Sequence, residues 1–138
     1  MLFRSTNALS SRWPATRFAA VGHLRLARPR ERAVPPLLTA LGSQESNMRS
    51  IAAESLGALG VRTPEVVAAL EAHLDDPEMS VRITAARSLG WCGSAATSSV
   101  PKLLELYRGQ EGMPEQQCIG EALASIDPAA LQRAGLSK

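Results

Sequence analysis

Aromatic side chains are scarce in this 138-residue chain, where two Trp, two Phe and one Tyr make up 4% of the residues. Sheet sandwiches lean on aromatic and β-branched side chains, so this shortage, beside abundant Ala and Leu, argues for thin helices packed closely. Long apolar runs are missing as well. Arg, Glu, Asp or Gly interrupts every apolar stretch before the ~18 residues that a membrane-crossing helix requires, so no membrane span is expected. Cysteine is limited to Cys92 and Cys118, both in apolar stretches and without C-x-x-C spacing. That removes the basis for a disulfide framework or a thiolate zinc site and leaves buried thiols in a reducing compartment. His23 and His73 are the only histidines. No H-x-x-x-H, His-Glu pair or Cys-His spacing supplies the three convergent ligands a metal site needs.

What is present is an ordinary 45% of hydrophobic residues and a net charge of +2 that conceals an asymmetry. Seven arginines against Glu31 before residue 34 leave six positive charges, and the eight bases and twelve acids that follow leave four negative ones. The chain is thus a basic head on an acidic body. The stretch from Met1 to Arg30 holds six arginines, several serines and no acid, the composition of a mitochondrial transit peptide.

The decisive feature is internal repetition at a period of about 33 residues, a signature that sets the whole architecture. Val34, Val67 and Val100 recur in step, followed in register by Leu37, Leu70 and Leu103, then by Leu41, Leu74 and Tyr107. A second set follows in Arg49 and Arg82, Ala52-Ala53 and Ala85-Ala86, and Leu56-Gly57 and Leu89-Gly90. Gln116, Ile119-Gly120 and Leu123 continue it one period on, after an insertion around Gly109 to Gly112, and Leu9, Arg17, Ala20-Val21 and Leu24 match it one period back.

Each unit reads as two short antiparallel helices, because Val34, Leu37, Leu38 and Leu41 fall at the i, i+3, i+4, i+7 spacing of one buried helical face. Pro35 and Pro101 sit in the first turn of a helix, where the missing N–H costs nothing, while Asp75-Asp76-Pro77 ends one helix and starts the next. The paired alanines are expected to let the second helices approach closely. Gly57, Gly60, Gly90 and Gly93 are expected to supply the left-handed conformations that end them.

Val100-Pro101-x-Leu103-Leu104 and Asp75-Asp76-Pro77-x-x-x-Val81-Arg82-x-x-Ala85-Ala86-x-x-Leu89-Gly90 resemble HEAT repeats of the short, phycobilisome-lyase-like type. Ankyrin and tetratricopeptide repeats share the period but fit less well. The T-P-L-H element is absent, and Ala or Leu stands where a tetratricopeptide groove holds aromatics. The resemblance implies an all-α fold, a right-handed α-solenoid of about four two-helix repeats. It also implies that the shared arginine pairs with an acid in the preceding turn, and that the second helices line the inner face. The His-Glu pairs of iron-binding HEAT enzymes have no counterpart here.

Stacking the units aligns Arg17, Arg49 and Arg82 into a ladder with a rung every ~10 Å. Such a ladder either ties repeats together or grips phosphates, with Arg12 in the head as a further contact. Asp75-Asp76 supplies the acid for only one unit, Ser43-Gln44 stands in its place one unit earlier, and Gln116 replaces the arginine at the other end. Glu54, Arg87 and Glu121 form a second row whose alternating signs suit a protein surface better than a phosphate groove. Trp91 stands where the previous repeat has Ala58, near a helix end. Exposed there it would anchor a partner, and buried it would cover the turn of the next unit; Trp13 in the head reads in the same two ways. Cys92 aligns with Leu59, and Cys118 with Thr84 and Ile51, so both read as packing residues rather than nucleophiles.

The organisation expected is a basic segment over 1–33, either a degenerate first repeat or a targeting peptide, three repeats over 34–127 and a tail over 128–138. The function expected is a non-enzymatic scaffold or adaptor that presents a curved surface to another protein, with room for a homodimer or a place in a larger assembly. Arg49, Glu54, Arg82, Arg87, Trp91 and Glu121 are the candidate protein contacts. The alternatives are a nucleic-acid-binding protein using Arg12, Arg17, Arg49 and Arg82, or a subunit like the bilin lyases whose repeats these resemble. No catalytic residue, metal or cofactor is expected. The compartment expected is the cytoplasm, or the mitochondrial matrix if the head is a transit peptide.

Overall fold

The computed structural model describes residues 14–26 and 28–136, in which helices are joined by short turns and no strand occurs among the described residues. The helices are α1 (Pro14–Leu24), α2 (Val34–Leu41), α3 (Ser46–Leu59), α4 (Pro64–Ala72), α5 (Met79–Cys92), α6 (Val100–Gly109), α7 (Pro114–Ile126) and α8 (Ala130–Arg133). Short 3-10 turns over Arg30–Ala33, His73–Asp75 and Gly93–Ser99 join them.

The first helix of each pair, α2, α4 or α6, spans only 8 to 10 residues, below the length at which an isolated helix holds in water. Local signals start these helices and packing keeps them. Proline occupies the first or second position of α2, α4, α6 and α7, where no intrahelical donor is lost. Thr63 Oγ1 also accepts a hydrogen bond from Val66 N at the start of α4, the usual duty of a capping hydroxyl.

Two layers result. Leu37, Leu70 and Leu103 of the first helices and Leu56, Leu89 and Leu123 of the second helices are all buried between them. Each contributes roughly 1.5–3 kcal/mol of transfer free energy. The repeated valines at 34, 67 and 100 are buried as expected, and Tyr107, at the position of Leu41 and Leu74, is half-buried.

The layers differ in how their members meet. The second helices run as a continuous row, α1 on α3 on α5 on α7, with their most extensive contacts along the seams α3–α5 and α5–α7. The first helices touch one another sparingly. Where α4 and α6 approach, polar side chains bridge them: Ser99 Oγ donates to Glu71 Oε2 at 2.6 Å, and Lys102 Nζ lies 3.0 Å from Asp75 Oδ2.

Glycine explains the tight row, and not in the way the pattern suggests. Gly60 and Gly93 do take positive φ, +75° and +57°, at the ends of α3 and α5. Gly57 and Gly90 instead lie inside those helices with ordinary helical backbone. A Cβ on Gly57 would stand 2.6 Å from Ser88 Cβ, and one on Gly90 would stand 3.1 Å from Ala122 Cα. These two positions are where the next helix crosses, and their service is absence of volume. Hydroxyls also bridge the row: Ser55 Oγ donates to Val21 O across α1–α3 at 3.4 Å and Ser88 Oγ to Ala53 O across α3–α5 at 2.9 Å.

Candidate interaction surface

The ladder arginines are engaged within the fold. Arg49 Nε and Nη2 meet Asp76 Oδ2 and Oδ1 at 2.8 and 2.9 Å, while its Nη1 donates to the carbonyls of Ser43 and Gln44, each at 3.0 Å. Arg82 repeats the arrangement. Its Nε reaches Glu115 Oε1 at 2.6 Å and its Nη1 donates to the carbonyls of Asp76 and Pro77 at 2.8 and 3.0 Å. Arg17 of α1 pairs in the same way with Glu45. Each guanidinium of Arg49 and Arg82 therefore ties the turn before its own helix to a carboxylate of the following repeat. A planar fork of donors suits this double role, whereas a lysine point charge would not.

This corrects the expected partner. The turn preceding the arginine supplies backbone carbonyls, not its carboxylate, and the charge comes from one unit further along. The three acids are not at equivalent repeat positions. Glu45 precedes α3, Asp76 lies in the turn before α5, and Glu115 is the second residue of α7. Glu115 is buried, and the repeat pattern does not single it out; an acid close to the start of each second helix is the signal that finds it. Gln116, at the arginine position of the last unit, accepts from Gly112 N and donates to Tyr107 O, holding its own turn and reaching no further.

The electrostatics follow. The Arg49 hydrogen bond, outweighing burial, holds the Asp76 carboxyl below its usual range, with Glu78 N adding a bond at 2.9 Å. Arg49 and Arg82 are held above theirs by Asp76 and Glu115. With their nitrogens committed to carboxylates and carbonyls, Arg49 and Arg82 offer little to an external phosphate. Arg12, Trp13 and Leu9 lie outside the described residues.

The other row is free of such pairing. Glu54 on α3 is half-buried, and Arg87 on α5 and Glu121 on α7 are exposed. Arg87 lies over the Trp91 ring, 5.7 Å from its centroid, a cation–π arrangement. The ring is 43% exposed. It crosses back over Gly57, where a Cβ would stand 2.8 Å from Trp91 Cε3, and so covers the preceding repeat rather than the turn of the next. Between α5 and α7 an open groove of about 180 Å³ is floored by Gly90 and Ala122 and walled by Arg87, Trp91, Cys118 and Glu121. Arg87, Trp91 and Glu121 thus converge on one groove, Glu54 sits on the neighbouring helix, and Arg49 and Arg82 belong to the clasps.

The remaining chemistry is structural. His73 lies just beyond α4, with Nδ1 2.8 Å from Ala69 O and Nε2 3.0 Å from Leu41 O, and His23 is exposed on α1. Among the described residues no group of three or more His, Cys, Asp or Glu is placed to hold a metal ion. Cys92 is buried, which pushes its thiol up. No described helix is long and apolar enough to cross a membrane.

Comparison with known proteins sets this geometry in a family. A family profile for HEAT repeats matches residues 6–89. Among solved structures, a chain of the complex of CpcE and CpcF of phycocyanin lyase from Nostoc sp. PCC7120 superposes with a TM-score of 0.76 at 26% identity, over 95% of this chain and 55% of that one. The chain therefore spans about half the length of that lyase chain. An engineered protein shares the fold with a TM-score of 0.70 at 23% identity, over 97% of this chain and 68% of its own. A search of curated proteins returns no match. With the profile covering more than half of the residues and stacked helix pairs throughout the described fold, the chain belongs to the HEAT-repeat proteins.

Proposed function

We propose that the protein is a non-enzymatic scaffold or adaptor that binds another protein through its second-helix row. The observation that carries this reading is the open groove in which Arg87, Trp91 and Glu121 converge, beside clasps that tie neighbouring repeats together. An aromatic ring with a stacked arginine, exposed on a preorganised surface, is the usual composition of a binding hot spot. Both signs of charge in one groove suit a protein better than a nucleic acid. The cytoplasm is the compartment this reading assigns.

Residues 1–33 are, in this reading, a first repeat rather than a targeting peptide. Three observations support it: α1 packs on α3 along the same row as the later second helices, Arg17 reproduces the ion pair of the clasp with Glu45, and the family profile begins at residue 6. Mass analysis of the native N-terminus tests it, and a mature chain beginning near Ala33 would overturn it.

The test of the scaffold reading is affinity capture from the native source with the intact chain, followed by cross-linking and mass spectrometry. Cross-links gathered on α3, α5 and α7, and lost with Trp91→Ala and Arg87→Glu while the circular dichroism stays unchanged, are the expected result. A partner retained by both variants would end the reading. A bilin-lyase-like role is the second reading, favoured by the match to the lyase complex. Mixing the chain with a bilin and an acceptor protein and finding no change in absorbance would dismiss it.

A further inference from the structure

Leu26, Ala58 and Trp91 occupy one position in three successive repeats. They stand at or just beyond the C-terminal ends of α1, α3 and α5. All three are exposed, Leu26 by 69% and Trp91 by 43%, an unusual degree for large apolar side chains on successive helices of a stack.

A basic row runs beside this strip in the same register. Arg30 and Arg62 hold equivalent places in successive linkers. Arg30 Nη1 reaches the end of α3, 3.3 Å from where a Cβ on Gly60 would stand. Arg62 is near enough to Cys92, the last residue of α5, for its charge to act on that thiol against the effect of burial. Arg87 covers Trp91. None of the three joins a salt bridge among the described residues, in contrast to Arg17, Arg49 and Arg82 at the other end of the same helices.

We propose that this strip docks an acidic amphipathic helix of a partner protein, apolar side on Leu26, Ala58 and Trp91, carboxylates against Arg30, Arg62 and Arg87. The proposal rests on the scaffold reading and narrows it to one site and one class of partner. The spacing selects a helix. Neighbouring helices of a stack lie about 10 Å apart, and residues seven apart on a ligand helix are separated by about 10.5 Å. A ligand helix of at least about 15 residues, crossing the stack with apolar residues at i, i+7 and i+14, meets all three apolar positions. The uncompensated arginines supply the charge complementarity, which sets orientation and speeds encounter. Single-stranded nucleic acid is disfavoured because it needs successive stacking rings, and Leu26 and Ala58 offer none.

The test titrates the full chain, carrying Trp13→Phe so that Trp91 alone reports, with a synthetic helix of about 18 residues bearing leucine at every seventh position and glutamate on its other face. The comparison ligands are the same helix with lysine for glutamate, and oligo-dT. Expected are a change in Trp91 emission with the acidic helix, an affinity that falls with salt, a loss of about tenfold or more with Arg30→Glu plus Arg62→Glu, and a smaller loss with Leu26→Ser. No binding at low salt, equal binding of the lysine helix, indifference to the arginine substitutions, or tighter binding of oligo-dT with the same sensitivity would each overturn the proposal. A captured partner that cross-links to α3, α5 and α7 yet tolerates Arg30→Glu and Arg62→Glu would sink this inference and leave the scaffold reading standing. Absence of any partner from that row would remove both.

Discussion

Replacing Gly57 by alanine sets two effects of opposite sign against each other, and the structure decides between them. In the interior of a helix such as α3, alanine is favoured over glycine by about 1 kcal/mol. The new Cβ would stand 2.6 Å from Ser88 Cβ, 2.7 Å from Ser88 Oγ and 2.8 Å from Trp91 Cε3, where carbon atoms in good contact keep about 3.5–4 Å. A rotamer change does not relieve the first contact, because Ser88 Cβ is fixed to the backbone of α5. The helices have to part by about an ångström, at the overpacking cost of roughly 1–3 kcal/mol. The Ser88 to Ala53 hydrogen bond across the same seam lengthens, with a further loss of about 1 kcal/mol. The net expectation is a destabilisation of about 1–3 kcal/mol, which lowers the melting temperature of a chain this size by roughly 3–10 °C. Thermal and urea unfolding followed by circular dichroism measure it. Gly109→Ala, where a Cβ meets nothing within 4 Å, is the control and should be neutral or slightly stabilising. Since each repeat is held only by its neighbours, the Gly57 variant should also unfold less cooperatively, the two sides of the α3–α5 seam separating in denaturant. A Gly57→Ala protein as stable as the parent, with Gly109→Ala no better, would refute the close approach.

Asp76→Asn removes the carboxylate from a pair whose side chains are 13% and 5% exposed and should cost about 2–4 kcal/mol in urea unfolding, since Arg49 keeps its charge without a counter-charge. Because the Arg49 bond depresses the Asp76 carboxyl, its contribution is complete above the ordinary carboxylate range near pH ~4 and is lost as pH falls through the lower folded-state value. The stability curves of parent and Asp76→Asn should therefore converge on acidification. Arg17→Ala breaks a more open pair, 29% and 41% exposed, and should cost no more than about 1 kcal/mol, detectable as faster proteolysis of α1 with the later repeats intact. In the folded chain a disulfide reagent near neutral pH should modify Cys118, half-buried at the groove wall, before Cys92, whose thiol is buried and held protonated. Equal rates at the two positions would contradict the packing of α5.

The layered core is legible because burial repeats: Val34, Val67 and Val100 and the leucines three positions on serve the same face in each unit, and a period exposes them. The clasps are only half legible. Arginine keeps one repeat position, but its carboxylate arrives from Glu45, Asp76 or Glu115, whose offsets differ because the turns over 42–45, 73–78 and 110–113 are built differently. A long forked side chain absorbs such offsets, so alignment of equivalent positions does not reveal its partner. Gly57 and Gly90 read as helix ends because a missing Cβ leaves the same mark in a sequence whether it frees φ or admits a neighbour. The groove residues Arg87, Trp91 and Glu121 stand out by row and by size, yet their meeting depends on how far α5 and α7 approach. The Leu26, Ala58 and Trp91 strip emerges only once the end of α1 is placed.

The forward reach of the clasps gives the array a grammar. Every arginine is a clause that its successor must complete, so a unit inserted between α5 and α6 reads correctly only if it brings both an acid for Arg82 and an arginine for Glu115. Joined after α7 it would find Gln116, whose amide is already closed upon its own turn. Lengthening this stack by duplication is thus a matter of splicing within it, and the glutamine serves as its full stop.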